Sequence, residues 1–244
     1  MIAIETQALS KKYKERIAVQ PLNLSIKQGQ VFGLLGLNGA GKTTTIRMLT
    51  CLTRPTSGDA TVLGKSILTE AQEVKANINL SPQETAIAPN LSVRENLELM
   101  AGIYGNNRQS AKDRTEQVME KLGLPDVQRD KAKVLSGGWQ RRLSIAMALI
   151  SEPKILFLDE PTLGLDVLAR RELWSVIENL KGEMTIILTT HYLEEAQALS
   201  DEIGIMANGK LKATGTADDL ISSMGARNFE DAFVALATES EVLR

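Results

Sequence analysis

The sequence predicts an α/β fold built on a mainly parallel sheet, and three observations in the first fifty residues carry that prediction. Val31-Phe32-Gly33-Leu34-Leu35 is apolar throughout, a glycine-rich stretch follows it directly, and Lys42 to Leu52 then has helical character. An unbroken apolar run marks a strand covered on both faces, and strand, glycine loop and helix in succession open a β–α unit. The 244 residues are 43% apolar and 24% charged, enough for a sizeable core in an ordinary globular chain. The net charge of −2 supplies no field that would draw the whole chain to nucleic acid or to an anionic membrane.

The remaining elements follow in order. Ile2 to Ile4 and Leu22 to Ile26 are short strand signals, and with them the N-terminal region is expected to form an antiparallel β subdomain. Gln28-Gly29-Gln30 is a turn. Cys51, the single cysteine, permits no intrachain disulfide; within Met48-Leu49-Thr50-Cys51-Leu52 it is expected as a small buried hydrophobe. Residues from about 84 to 150 are expected as a helical subdomain inserted into the core. Ser92-Val93-Arg94-Glu95 has the pattern of a capping box, Leu97, Met100, Ala101 and Tyr104 repeat at helical spacing, and Asp113 to Leu122 is a further helix. Strand signals return at Ile155 to Leu158 and Thr185 to Leu188, and Asn208-Gly209 marks a hairpin between Ile203–Ala207 and Lys210–Ala213. The core is therefore expected over about 1–83 and 151–215, with a helical tail over 216–244 whose second helix carries Phe229, Ala232, Phe233 and Leu236. The N-terminus lacks a basic leader followed by an apolar stretch, which argues against a secretion signal. No apolar run approaches the roughly 20 residues that cross a bilayer, so work at a membrane would require docking on another subunit.

Gly36-Leu37-Asn38-Gly39-Ala40-Gly41-Lys42-Thr43 fits the phosphate-loop pattern G-x-x-x-x-G-K-[ST]. Glycines let successive backbone N–H groups turn towards phosphate oxygens, and the helix that follows presents its positive end to the same anion. Gly36, Asn38, Gly39, Ala40 and Gly41 are thus candidates to cradle phosphate. Lys42 would place a cation at the β- and γ-phosphates, the Thr43 hydroxyl would ligate Mg²⁺, and Thr44 would add a phosphate contact. Ile155-Leu156-Phe157-Leu158-Asp159-Glu160 is an apolar strand ending in two carboxylates. Behind a phosphate loop, Asp159 is the candidate to support the metal and Glu160 the candidate general base for an attacking water.

Kinases, GTPases, helicases and transporters share such a loop; Leu135-Ser136-Gly137-Gly138-Trp139-Gln140-Arg141-Arg142 discriminates among them. A small polar residue and two glycines before a helix over Leu143 to Ile150 build an anion trap a second time. Here the chain resembles the ABC ATPase family, whose signature is L-S-G-G, a variable position, Gln or Lys, and Arg. The resemblance spans about residues 2 to 240 and carries six ordered motifs. It implies a P-loop NTPase core that uses ATP and Mg²⁺, with Ser136, Gly137, Gly138 and Gln140 serving the nucleotide. It also implies that Gln83 is the Q-loop glutamine that senses metal and membrane partner, that Asp166 in Leu163-Gly164-Leu165-Asp166 lies at a dimer seam, that His191 is the switch histidine, and that Tyr13 stacks on adenine. Two departures stand out: Leu37 replaces a common proline, and Trp139 brings unusual bulk to the variable position.

The run from Thr189 to Ala196 and the segment Phe229-Glu230-Asp231-Ala232-Phe233 look like the exporter branch, which pairs with six-helix membrane subunits. The resemblance therefore implies a head-to-tail dimer, with itself or a paralogous ATPase subunit, that sandwiches two ATPs on the cytoplasmic face of the cell membrane beside a transmembrane permease. No nucleic-acid partner is expected. The alternative, a soluble ABC ATPase acting on nucleic acid or the ribosome, would ordinarily bring paired modules or a long coiled coil, and this sequence has neither. A GTPase would carry an Asn-Lys-x-Asp guanine motif, which is absent.

Overall fold

Two long strands open the chain in the computed structural model, which describes residues 1–238: β1 (Ile2–Tyr13) and β2 (Arg16–Lys27). They are followed by β3 (Val31–Leu35), α1 (Lys42–Leu49), β4 (Ser57–Val62), β5 (Lys65–Ser66) and α2 (Ala71–Lys75). The middle of the chain supplies β6 (Ile78–Ser81), α3 (Val93–Ile103), α4 (Arg108–Lys121), α5 (Gly137–Leu149), β7 (Ile155–Asp159) and α6 (Val167–Asn179). The last third supplies β8 (Thr185–Thr190), α7 (Leu193–Leu199), β9 (Glu202–Ala207), β10 (Lys210–Gly215), α8 (Ala217–Met224) and α9 (Phe229–Thr238). Contacts divide these elements into two units, Met1–Ala76 with the chain from Lys181 onward, and Asn77–Leu180.

The first unit holds two sheets. One is antiparallel with order β2-β1-β4-β5, the expected N-terminal β subdomain. Its strands run well past Ile2–Ile4 and Leu22–Ile26 because register shifts, such as that between Thr6 and Leu9, break the alternation that sequence reading depends on. In the other, β3 lies parallel between β8 and β9, and β10 returns antiparallel beside β9. All five residues of β3 and all six of β8 are buried, as two-sided burial requires. The tail helices α8 and α9 pack Leu220, Phe229, Phe233 and Leu236 against Leu35, Ala196, Ile203 and Ile205. Each such side chain removed from water contributes about 1.5–3 kcal/mol. The part of the expected tail over residues 239–244 lies outside the described residues.

Helix α1 stops short of the expected Leu52. Cys51 adopts φ 57°, a left-handed turn that closes the helix with its N–H donating to the Met48 carbonyl at 3.0 Å. Cys51 is accordingly half-exposed rather than fully buried, although burial still pushes its thiol above the usual range.

In the second unit β6 and β7 pair in parallel and α3, α4 and α5 supply the helical part. Leu97 and Ala101 are fully buried, while Tyr104 caps the end of α3 and is 46% exposed. Helix α4 starts at Arg108, before the expected Asp113, because Asn107 caps it by accepting from the N–H groups of Gln109 and Ser110. Among the described residues no helix is long and apolar enough to cross a membrane.

The Ser92 capping box forms. The Ser92 hydroxyl accepts from the Glu95 N–H at 3.2 Å, and the Glu95 carboxylate accepts from the Ser92 N–H at 2.7 Å. That backbone donor is the main cause holding the Glu95 carboxyl below its ordinary value of 4.5. Replacing Ser92 by Ala is expected to lower stability by about 1 kcal/mol at neutral pH, read as an earlier urea midpoint with unchanged slope. Because the folded value is lowered, the carboxylate contributes above 4.5 and stops contributing as pH falls through that lowered value. Ser92→Ala keeps that backbone N–H and removes only the smaller share owed to the hydroxyl, so the gap between the variant and the parent should narrow only slightly in acid.

Candidate functional site

In the first unit the phosphate loop leaves the end of β3 and is fastened from behind. The Gly36 N–H donates to the Thr190 carbonyl at 3.2 Å, and the Ala40 N–H closes a turn onto the Leu37 carbonyl at 3.1 Å. The Ala40 carbonyl accepts the Gly209 N–H at 3.1 Å, and the Gly209 carbonyl accepts the Gln20 N–H at 2.8 Å. The hairpin turn between β9 and β10 is therefore wedged between the loop and β2. Gly209 sits at φ 77°, and a Cβ there would come within 3.0 Å of the Ala18 carbonyl oxygen. Gly41 is more constrained, at φ 107° with a Cβ position 2.6 Å from the same oxygen. Only glycine meets both demands.

Gly41 is also the residue from which α1 starts, and no side chain caps that end. The first turn presents uncapped N–H groups and the positive end of the helix dipole. Lys42 is only 4% exposed, and its ammonium donates to the Gly36 carbonyl at 2.7 Å and the Leu37 carbonyl at 3.3 Å. The cation is thus held inside the loop that is to receive an anion. Thr43 and Thr44 are half-buried; Asn38 and Gly39 are exposed, and Leu37, in the place of the common proline, is 60% exposed.

His191 leaves the end of β8 where Gly36 leaves the end of β3, since Leu35 and Thr190 are register partners. Its ring lies 4.1 Å from that of Tyr192, tilted by 39°. Tyr13 ends β1 and is 45% exposed. The Lys11 ammonium stands 5.0 Å from its ring centre, within cation–π range, and is itself anchored to the Arg54 carbonyl.

In the second unit all of β7 is buried, and its terminal Asp159 is 5% exposed. Glu160 follows at 8% exposure with φ 47°, a left-handed conformation that a glutamate rarely adopts. Strain of this kind persists where surrounding structure over-determines a residue, and it turns the Glu160 side chain away from the strand's own alternation. The oxygen donors named for the metal, the Thr43 hydroxyl, the Asp159 carboxylate and the Gln83 amide, are the hard ligands Mg²⁺ takes. One carboxylate completed by substrate phosphate is its usual arrangement. Among the described residues no group of three or more acidic, His or Cys side chains forms a metal cluster.

The segment Leu135–Arg142 straddles a helix start rather than preceding one. Helix α5 begins at Gly137, six residues before the expected Leu143, because glycine at the uncapped first positions costs little there. Ser136 is its N-cap residue by backbone conformation, yet its hydroxyl makes no capping bond, and both Ser136 and Gly137 are exposed. Gln140 has a bracing role: its amide donates to the Ala132 carbonyl at 3.1 Å and the Leu135 carbonyl at 3.2 Å, fixing the loop that leads into the helix. Trp139 packs under the Arg142 guanidinium at 4.8 Å, and Arg142 is held by Glu172 of α6 at 2.7 Å. Asp166 caps α6, its carboxylate accepting the Ala169 N–H at 2.9 Å.

Gln83 is exposed in the loop after β6. Sequence reading assigned no role to the residue that fixes it. Arg141, 5% exposed, donates through one terminal nitrogen to the Pro82 carbonyl at 2.7 Å and through the other to the Gln83 carbonyl at 2.6 Å. The only sequence signal was its place in the signature, one turn after Gly137.

The loop residues Gly36 to Thr44 are thus grouped in one unit with Tyr13 and His191, and Gln83, Ser136 to Gln140, Asp159, Glu160 and Asp166 in the other.

An ABC transporter family model matches residues 19–163. The chain is 41% identical over 224 residues to the daunorubicin resistance ATP-binding protein DrrA3 of Streptomyces coeruleorubidus, covering 91% of this chain and 71% of that one. It is 42% identical over 227 residues to the phospholipid-transporting ATPase ABCA3 of Homo sapiens, where 91% of this chain spans only 13% of the relative. The fold superposes with a TM-score of 0.78 at 25% identity on a dimeric post-hydrolysis state of the ATP-binding cassette MJ0796 bound to ADP and Pi, covering 87% of this chain and 98% of that one. A buried lysine inside an uncapped, glycine-bounded loop, a second uncapped glycine helix start and these likenesses have one reading: the chain belongs to the ABC transporter family, as an ATP-binding ATPase component.

Proposed function

We propose that this chain hydrolyses ATP as one half of a head-to-tail dimer and drives export through a separate membrane subunit. The observation that carries the reading is the pair of helix starts that combine glycine with the lack of a side-chain cap, at Gly41–Lys42 and at Ser136–Gly137; α2 and α7 also lack a cap but have no glycine there. One anion needs one such end. Two ends in one chain make sense when each is half of a site completed by a second copy, itself or a paralogue, so that the γ-phosphate meets Lys42 on one side and Ser136, Gly137 and Gly138 on the other.

In this reading the N–H groups of Gly39, Ala40 and Gly41 and the Lys42 ammonium hold the phosphates, Thr44 adds a contact, and Tyr13 stacks on the adenine. Thr43, Asp159 and Gln83 hold Mg²⁺, which offsets negative charge on the phosphate oxygens. Glu160 takes the proton of the attacking water, and His191 hydrogen-bonds the γ-phosphate. Asp166, with Gln140 behind the signature, shapes the seam. ATP acts as the interfacial adhesive, and its hydrolysis releases the closed state. Residues 1–83 and 151–215 make the catalytic core, and 84–150 the helical insertion.

A docking face for the permease is supported within 77–180. A cavity of about 160 Å³ is lined by Pro82, Ala86, Met100 and Met147, and Leu99 and Ile103 of α3 are 49% and 67% exposed. An apolar side chain on an amphipathic cytoplasmic helix of a membrane subunit would fill such a cavity, with Leu99 and Ile103 beside it on α3. In this reading the chain works peripherally on the cytoplasmic face of the membrane. The drug-resistance and phospholipid-transporting relatives support an amphiphilic cargo moving outward.

Glu160→Gln is expected to retain ATP, lose at least about a hundredfold in turnover and elute as a dimer with saturating Mg-ATP. A monomer under those conditions overturns the sandwich. Gly41→Ala, whose methyl would collide with the Ala18 carbonyl, should weaken ATP binding at least about tenfold in calorimetry, or 1.4 kcal/mol. His191→Ala should lower kcat by more than it raises the dissociation constant for ATP; equal losses would place the ring away from the γ-phosphate.

A further inference from the structure

Residues 81, 82 and 83 leave the end of β6 one after another, and the same face of α5 fastens all three. The Ser144 and Ser81 hydroxyls share a hydrogen bond of 2.9 Å, both groups being buried. One turn towards the start of the helix, Arg141 spreads its two terminal nitrogens over the Pro82 and Gln83 carbonyls at 2.7 and 2.6 Å. A guanidinium is planar, so two such short bonds fix the orientation of the peptide as well as its position, which an ammonium would not do. At 5% exposure Arg141 has little water to exchange for these partners. Meanwhile the Gln83 residue itself is exposed. The backbone is clamped and the side chain is left to act.

The clamp sits on the helix whose first residues are Gly137 and Gly138. From Arg141 back to Ser136 is about 7.5 Å along the helix axis, at 1.5 Å per residue. Gln140, beside Arg141, secures the approach to that helix through the Ala132 and Leu135 carbonyls. A displacement at 82–83 therefore passes into the signature turn through the rigid start of α5, without a flexible link between them.

We propose that Arg141 is a positioning residue for this ATPase: its guanidinium locks the Gln83 loop to the signature helix so that the two move as one body. This rests on the reading of Gln83 as a metal- and partner-sensing residue. Freed of the clamp, Gln83 would sample many backbone positions and present its amide to the metal only a fraction of the time, weakening magnesium-dependent closure in proportion to that fraction.

The experiment uses the full chain with Arg141→Met, Arg141→Lys, Gln83→Ala and the Arg141→Met/Gln83→Ala pair. Backbone ¹⁵N relaxation at Gln83 and Glu84 without nucleotide gives the first readout; order parameters of about 0.85 in the parent should fall below about 0.6 in Arg141→Met. The second is the magnesium midpoint for ATP-driven dimerisation in the Glu160→Gln background. Arg141→Met and Gln83→Ala should each raise it about tenfold, and the pair should raise it no further, because both remove the same contact. ATP affinity without magnesium should stay within about twofold, a separation that general destabilisation would not produce. If Arg141→Met does not fold, Arg141→Lys, which keeps the charge but reaches one carbonyl, should give about a threefold rise. Unchanged order parameters, or additive losses in the pair, overturn the proposal. Should Gln83→Ala alone leave the midpoint unmoved, the Gln83 assignment fails instead, and the order parameters still decide the clamp.

Discussion

An anion of high charge is to be held largely by backbone N–H groups, and the rest of the structure follows from that constraint. Such groups point inward only if the loop carrying them is forced away from regular structure and then kept there. Here the force comes from outside the loop. The Ala40 carbonyl is tied to the Gly209 N–H, and β2 holds Gly209 in turn. The lysine is folded back onto the Gly36 and Leu37 carbonyls, so its charge is already at the mouth before any ligand arrives. Little reorganisation is left for binding to pay for, which is the advantage of a preorganised site.

The second unit repeats the principle with different means. Its glycine helix start is braced by the Gln140 amide instead of by a hairpin, and its acidic strand end is turned by a left-handed Glu160 instead of by a glycine. The residue types differ because the tasks differ. A loop that wraps phosphate needs curvature at several positions, whereas a turn that aims one carboxylate needs it at one, and there the side chain is worth its strain. Arg142 over Trp139 illustrates another economy: the bulky departure in the signature is accommodated by a cation already tied to Glu172.

Much of this was legible in the residues. Val31 to Leu35, the glycine loop, the Ser92 box and the Asn208-Gly209 turn each announce themselves through short-range rules, and each forms where expected. What sequence reading could not resolve depends on partners far along the chain. The strands β1 and β2 extend through register shifts that scramble alternation, and β4, β5 and β6 are short or half-buried and gain identity only from neighbours. Helix α6 is faint in the sequence although Asp166 caps it, because Val167 to Glu172 bury no side chain and its apolar spacing begins only at Leu173. Likewise Arg141 reads as one more basic residue in a motif until the carbonyls 58 and 59 positions away come into view.

The bond between the Ala40 carbonyl and the Gly209 N–H joins residues 169 positions apart. A ribosome has therefore built most of the chain before the phosphate loop receives its brace. Contacts of that separation form late and slowly. Until the β9–β10 hairpin emerges, the loop lacks the bond from Gly209 and has only its local ones, such as the Ala40–Leu37 turn. The brace on the phosphate loop is thus among the later contacts that synthesis makes available.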